Sequence, residues 1–153
     1  MTNKVLVAID NTGLATQVVN TLSEQMHPEQ TEVLVLQVVE PLIYSVPPEM
    51  SPGYAPEQAA RRKENQELAN VTLEQAVKAL TKAGFKASKR VVESEIKEGI
   101  LGVADEWKPN VIVVTSHARQ GVAKFFHRSV AEGVVHGATC SVLVIKEPEK
   151  KAA

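Results

Sequence analysis

Four short apolar segments recur along the chain and predict buried β-strands. They consist mostly of Val, Leu and Ile and lie at residues 5–9, 33–39, 111–114 and 142–145. Unbroken apolar character over so short a run is typical of strands covered on both faces, as in a parallel sheet. A fifth segment, residues 85–92, mixes Lys86, Lys89 and Arg90 with apolar residues. This mixture predicts a strand at a sheet edge, where charge prevents wrong pairing.

Between these segments, apolar residues recur at the spacing of a helix face. The stripes predict helices around residues 15–26, 73–80, 96–107 and 131–138. Gly84 is the expected C′ residue of the second helix, and Ser94 is the expected N-cap of the third. Residues 40–56 contain five of the eight prolines, which predicts a long helix-free loop on the surface.

The alternation of strand and helix predicts an α/β fold, with a parallel sheet built from right-handed βαβ units. We expect one domain over residues 1–146, followed by a disordered tail at residues 147–153, because that end is polar.

Composition narrows the classes of partner. The net charge is -1 and aromatic residues make up 4% of the chain, so neither a basic surface nor a stacking platform for nucleic acid is expected. No apolar run is long enough to span a bilayer, so we expect no membrane partner. The lone Cys140 cannot form an internal disulfide, which suits a reducing compartment. We therefore predict a cytoplasmic location.

In open α/β sheets, ligands bind beyond the carboxyl ends of the strands. Asp10 ends the first predicted strand, and Val38 lies near the end of the second. Residues 115–128 are expected to form a loop after Val114 that leads to a helix starting at Ser129. This loop has no acidic residue but carries several basic ones, His117, Arg119, Lys124, His127 and Arg128. A basic loop before a helix N-terminus predicts an anion site.

Four segments carry a resemblance to a known family. They are Val5-Leu-Val-Ala-Ile-Asp10, Val114-Thr-Ser-His117, Ser129-Val-Ala-Glu132 and Cys140-Ser-Val-Leu-Val-Ile145. In this order they resemble the universal stress protein family, over nearly the whole chain. The resemblance implies an open five-stranded parallel sheet in the order 3-2-1-4-5, with helices on both faces, of the adenine-nucleotide alpha-hydrolase-like type. It also implies base and ribose contacts at Asp10 and Val38, and it makes ATP the candidate ligand.

Family members that bind ATP carry G-x2-G-x9-G-[S/T] after the fourth strand. In this chain the spacing is kept, but the glycines are replaced by Thr115, Ala118 and Arg128, and only Ser129 matches. Glycine lets phosphate approach the backbone amides closely, so this replacement predicts weak or absent phosphate binding. The candidate nucleotide positions, in a degenerate motif, are Asp10, Val38, Val114, Thr115, Ala118, Arg128, Ser129 and Val130.

Two of these positions have a structural alternative. Asp10 is also a common turn-forming residue after a strand. Ser129-Val-Ala-Glu132 also reads as a capping box, in which Ser129 and Glu132 would satisfy each other's amides. For His117, His127 and His136 the separations lack the short spacing of metal sites, so we expect no metal ion. We also find no catalytic nucleophile and base pair.

Two functions follow from these observations. The first is a non-catalytic stress-response domain without an obligatory cofactor, which acts through an unidentified protein partner and a homodimer. The dimer would form through the last strand, Val142-Leu143-Val144-Ile145, which the resemblance implies pairs antiparallel across a two-fold axis. The alternative is a nucleotide-binding stress protein, or a slow ATP hydrolase, in which Arg128, Lys124 and Ser129 hold phosphate in place of the family's glycines.

Overall fold

The computed structural model describes residues 2–10, 15–41, 54–116 and 122–146, with the backbone alone at 15, 54–56, 58, 116 and 122–129. Its five strands are β1 (Asn3–Ala8), β2 (Thr31–Val39), β3 (Lys86–Glu93), β4 (Val111–Ser116) and β5 (Ser141–Lys146). All neighbouring strands are parallel, and their order is β3-β2-β1-β4-β5. The predicted fold and strand order are therefore confirmed.

Four α-helices cover the two faces of this sheet. They are α1 (Ala15–Gln25), α2 (Tyr54–Lys82), α3 (Ile96–Trp107) and α4 (Val122–Gly137), and a short 3-10 helix spans Pro28–Gln30. Helices α1 and α2 pack on one face, while α3 and α4 pack on the other. Within the described residues, no helix is long and apolar enough to cross a membrane.

Alternate residues of each central strand enter different halves of the core. Val33 and Val35 pack towards α1 and α2, whereas Leu34 and Leu36 pack towards α3 and α4. All four side chains are buried. Because side chains alternate across a strand, a sheet covered on both faces needs apolar residues at every position, which explains the unbroken apolar segments.

Strand β3 lies at one edge of the sheet, as its charged residues predicted. Lys89 forms an ion pair with Glu74 of α2 at 2.9 Å, and Arg90 forms one with Glu106 of α3 at 3.5 Å. A third pair joins Arg62 of α2 to Glu93 at 2.7 Å. Such exposed pairs add little stability, but charged side chains at an edge oppose pairing with another strand.

The predicted role of Gly84 is confirmed, because this residue ends α2 with a φ of 99°. Its amide donates to the carbonyl of Thr81 at 3.0 Å, and the amide of Phe85 donates to the carbonyl of Leu80 at 3.0 Å. These two bonds form a Schellman motif, and the buried side chains of Phe85 and Leu80 lie in the same core cluster.

Ser94 is not the N-cap of α3, so that prediction is wrong. The N-cap is Glu95, and the Ser94 hydroxyl donates to the Glu95 carbonyl at 2.9 Å. The reason lies in the sheet, because the Ser94 amide still donates to the carbonyl of Val39 at 3.0 Å. This bond extends the pairing of β3 with β2 and delays the start of the helix by one residue.

The predicted helix-free loop at residues 40–56 is too long at its carboxyl end. Helix α2 begins at Tyr54, so residues 54–56 belong to its first turn. Pro56 is compatible with this position, because the first-turn amides have no partner within the helix and a proline there loses no hydrogen bond. Residues 42–53 of the predicted loop and the predicted tail at 147–153 lie outside the described residues.

Candidate functional site

A pocket lies beyond the carboxyl ends of β1, β2 and β4, on the face of the sheet covered by α3 and α4. Its cavity volume is about 50 Å³. The described residues that line it are Ala8, Ile9, Asp10, Val38, Ile96, Ile100, Val114, Thr115 and Val130. Of the predicted site residues, the structure therefore brings together Asp10, Val38, Val114, Thr115 and Val130. The pocket is at the place where the sheet topology predicts a ligand.

The described lining of the pocket is mostly apolar, with two polar side chains. Most of it is aliphatic, from the ends of the strands and from α3. Its polar side chains among the described residues are the carboxylate of Asp10 and the hydroxyl of Thr115. An apolar wall with a few polar groups is the usual lining of a small-molecule site.

Hydrogen bonds of the sheet hold this end of the pocket in place. The Ile9 amide donates to the carbonyl of Leu36 at 2.9 Å, which continues the pairing of β1 with β2 beyond the end of β1. Asp10 is therefore carried by a paired backbone. Asp10 and Val38, the two residues at which the resemblance implies ribose and base contacts, line the same pocket.

Sequence reasoning missed the contribution of α3 to the pocket. Ile96 and Ile100 line it, although the helical pattern assigned both only to a buried stripe. They lie four residues apart on one helix face, and the turn that carries them also contains Gly99. A signal was available, since a glycine within an apolar stripe often marks a close approach of the backbone to a neighbour.

The predicted loop before Ser129 is wrong, because α4 begins at Val122. The segment from Val122 to Arg128 contains neither glycine nor proline, so nothing in it stops a helix. Ser129 thus lies inside α4, and the capping-box alternative, which needs Ser129 before the first turn, is wrong as well. Lys124 and Arg128 also lie in the helix.

This helix start changes what the backbone can offer to an anion. Only the first four amides of an α-helix lack a partner within the helix. In a helix that starts at Val122, the amides of Arg128 and Ser129 come after that first turn and bond to carbonyls four residues earlier. They are not available as the amides of a phosphate cradle. Ala118, the remaining position of the motif, lies outside the described residues.

No three metal-binding side chains come together among the described residues. His117 lies outside them, and only the backbone of His127 is described. The expectation of no metal ion therefore stays a prediction.

The chain was compared with known proteins. The model of the universal stress protein family matches residues 1–146. The universal stress protein YxiE of Bacillus subtilis is 26% identical over 153 residues, which cover 95% of this chain and 100% of YxiE.

Solved structures share the fold. Hypothetical protein MJ0577 superposes with a TM-score of 0.77 at 21% identity, over 98% of this chain and 99% of that one. The universal stress protein of Archaeoglobus fulgidus in complex with dAMP superposes with a TM-score of 0.66 at 23% identity, over 94% of this chain and 98% of that one. The family match over nearly the whole chain, together with this fold, shows that the chain belongs to the universal stress protein family.

Proposed function

We propose that this chain is a non-catalytic stress-response domain that acts through a homodimer and protein partners. In this proposal its pocket keeps the half that would hold a base and ribose, and it has lost the half that would hold phosphate. The observation that carries the proposal is the start of α4 at Val122, which places residues 128 and 129 inside a helix. Nucleotide binding is then weak, and binding energy from phosphate is small.

The pocket supports the base-and-ribose half of this proposal. Val38, Ile96 and Ile100 offer apolar contact for a ring, and Asp10 offers a carboxylate that can accept hydrogen bonds from a ribose hydroxyl. The related protein of Archaeoglobus fulgidus has been solved with dAMP. By analogy, we infer an adenine nucleotide or nucleoside as the class of ligand.

The proposed loss of phosphate binding is supported by both the sequence and the structure. Thr115, Ala118 and Arg128 replace the family's glycines, and the amides of residues 128 and 129 belong to a helix interior. A hydrogen bond to a charged group contributes about 1.5–3 kcal/mol. The loss of two such bonds would weaken binding about 100-fold or more.

Homodimerisation is proposed from the contrast between the two edges of the sheet. The β3 edge carries Lys89 and Arg90, which form ion pairs with flanking helices. The β5 edge carries Val142, Leu143 and Val144, which are only half-buried, and in the described part of the chain β5 pairs with β4 alone. An apolar edge of this kind is usually covered, and an identical strand from a second copy would cover it symmetrically.

A second candidate is a nucleotide-binding protein that holds phosphate with side chains, with slow ATP hydrolysis included. Lys124 and Arg128 are four residues apart in the sequence of α4, and Ser129 follows Arg128 directly. In this candidate, charge-assisted bonds from these side chains replace the amide cradle.

Restoring the glycines tests the proposal against this candidate. The triple variant Thr115→Gly, Ala118→Gly, Arg128→Gly keeps Ser129 and the spacing, and it restores the glycines of the family motif. We expect calorimetry to show MgATP binding in the triple variant about 100-fold tighter than in the wild type. Glycine at position 128 destabilises α4 and frees amides, and glycines at positions 115 and 118 let phosphate approach the backbone closely.

Arg128→Gly alone is the matched control. If nucleotide binding gains little from phosphate, Arg128→Gly should leave MgATP binding unchanged or strengthen it. If the Arg128 side chain holds phosphate, Arg128→Gly should weaken MgATP binding about tenfold or more, because the variant lacks a charge-assisted bond. Low-micromolar binding in the wild type that falls in Arg128→Gly would contradict the proposal.

A further inference from the structure

Helix α3 packs tightly against strand β2 at Gly99. A Cβ atom on this residue would lie 2.8 Å from Cγ1 and 2.9 Å from Cγ2 of Val38, and 3.4 Å from Cβ of Ser94. The first two distances are well inside the optimum of about 3.5–4.0 Å between carbon atoms. Gly99 is buried in this contact. Any side chain at this position must therefore displace either the helix or Val38.

The same contact defines one dimension of the pocket. Val38 lines the pocket from the sheet, while Ile96 and Ile100 line it from α3. Gly99 lies between these two isoleucines, and its amide donates to the Glu95 carbonyl at 2.8 Å within a regular helix. The distance of the Gly99 backbone from Val38 therefore sets how far the isoleucine wall lies from the sheet.

A Cβ at Gly99 is expected to move α3 rather than Val38. Both methyl groups of Val38 are too close to that Cβ, so rotation about χ1 cannot relieve the overlap, and valine has restricted rotamers. Strand β2 is held by β1 up to Leu36 and by β3 through Val39. The strand is thus fixed on both sides, and the helix is the element that can shift.

We propose that Gly99 is a positioning residue that sets the width of the pocket and, through it, a preference for purine over pyrimidine rings. The preference rests on the proposed base-and-ribose half of the pocket. A ring in the slot between Val38 and the two isoleucines contacts both walls, and the larger purine gains more from this contact. A wider slot loses contact with one wall, so the purine loses more affinity than the pyrimidine.

The first experiment needs no ligand. Methyl NMR is recorded on Gly99→Ala and on Gly102→Ala, a matched control in the same helix where an added Cβ meets nothing within 4 Å. In Gly99→Ala we expect weaker nuclear Overhauser contacts from Ile96 and Ile100 to Val38. In Gly102→Ala we expect these contacts to be unchanged. The double variant Gly99→Ala/Val38→Ala removes both overlapping methyl groups, so its helix should return towards the sheet.

The second experiment measures the affinities of AMP and CMP by NMR titration. We expect the ratio of AMP to CMP affinity to fall about tenfold in Gly99→Ala and to stay constant in Gly102→Ala. In the double variant the ratio should recover in part. General destabilisation of the fold would lower both affinities together, so the ratio separates a positioning role from a structural one.

Unchanged contacts between Val38 and the isoleucines in Gly99→Ala would overturn the inference. An unchanged affinity ratio with a displaced helix would overturn the purine preference. If α3 is displaced in Gly99→Ala but the wild type binds neither AMP nor CMP, the positioning role of Gly99 is supported. The proposed base-and-ribose half of the pocket is then contradicted. If Gly99→Ala does not fold, recovery of folding by the added Val38→Ala change supports the overlap, and its failure to recover folding contradicts it.

Discussion

Lys4 and Trp107 join the amino end of β1 to the carboxyl end of α3. The Lys4 ammonium donates to the Trp107 carbonyl at 3.1 Å and lies 4.9 Å from the centre of its ring. The backbone of Lys4 also exchanges two bonds with Asn110, each of 2.8 Å. The carbonyls at a helix end lack partners within the helix and carry partial negative charge, so a lysine there stabilises α3.

Trp107 is expected to support the fold rather than the pocket. Its side chain is half-buried against the core on the α3 and α4 face. Trp107→Ala should lower the free energy of unfolding by about 2 kcal/mol, less than the 3–5 kcal/mol of a fully buried ring, through lost packing and a lost cation–π contact. Urea denaturation measures this loss. Asp105→Ala, at an exposed residue of the same helix, is the control. We expect it to change the free energy of unfolding by less than about 0.5 kcal/mol. A loss for Trp107→Ala no larger than that of the control would contradict this role.

At the scale of elements, strands were predicted better than helix ends. Four of the five described strands contain a short apolar run that is visible in the sequence. Gly84 marked the end of α2 because a positive φ favours glycine. Helix starts were less visible. Ser94 is a good N-cap by residue type, but its amide is held by Val39 of the sheet, a contact that the local sequence does not reveal.

The start of α4 was the error with the largest effect on function. Ser129 was expected to start the helix, so residues 115–128 were assigned to a loop after Val114. Residues 122–128 contain no helix breaker, however, and they join the helix. Asp10, Val38, Val114 and Thr115, at the ends of strands, line one pocket as expected, and their role as ligand contacts stays a prediction. The contribution of α3 to the lining was missed, because it depends on how closely that helix packs against the sheet.

At the scale of the whole molecule, the two edges of the sheet carry different side chains. The β3 edge is charged, whereas the β5 edge is apolar. If β5 forms the dimer, a charge in the middle of its edge should break it. We expect the wild type to sediment as a dimer at about 50 µM and Val144→Lys to sediment as a monomer, because a buried unpaired lysine at the interface is costly. Ser88→Lys on β3 is the matched control at the opposite edge and should remain a dimer.

Circular dichroism of both variants shows whether the fold is kept. A wild type that sediments as a monomer, or a folded Val144→Lys variant that stays dimeric, would contradict the β5 interface. A Ser88→Lys variant that becomes monomeric would place the interface at the charged β3 edge instead.

We propose that the pocket binds a base and ribose and gains little binding energy from phosphate. The most direct test is a comparison of adenosine and MgATP affinity for the wild type by calorimetry. We predict dissociation constants within a factor of about three of each other, a difference below about 0.7 kcal/mol, because the amides at residues 128 and 129 lie inside α4. MgATP that binds about 100-fold tighter than adenosine, a gain of about 2.7 kcal/mol from the phosphates, would contradict it.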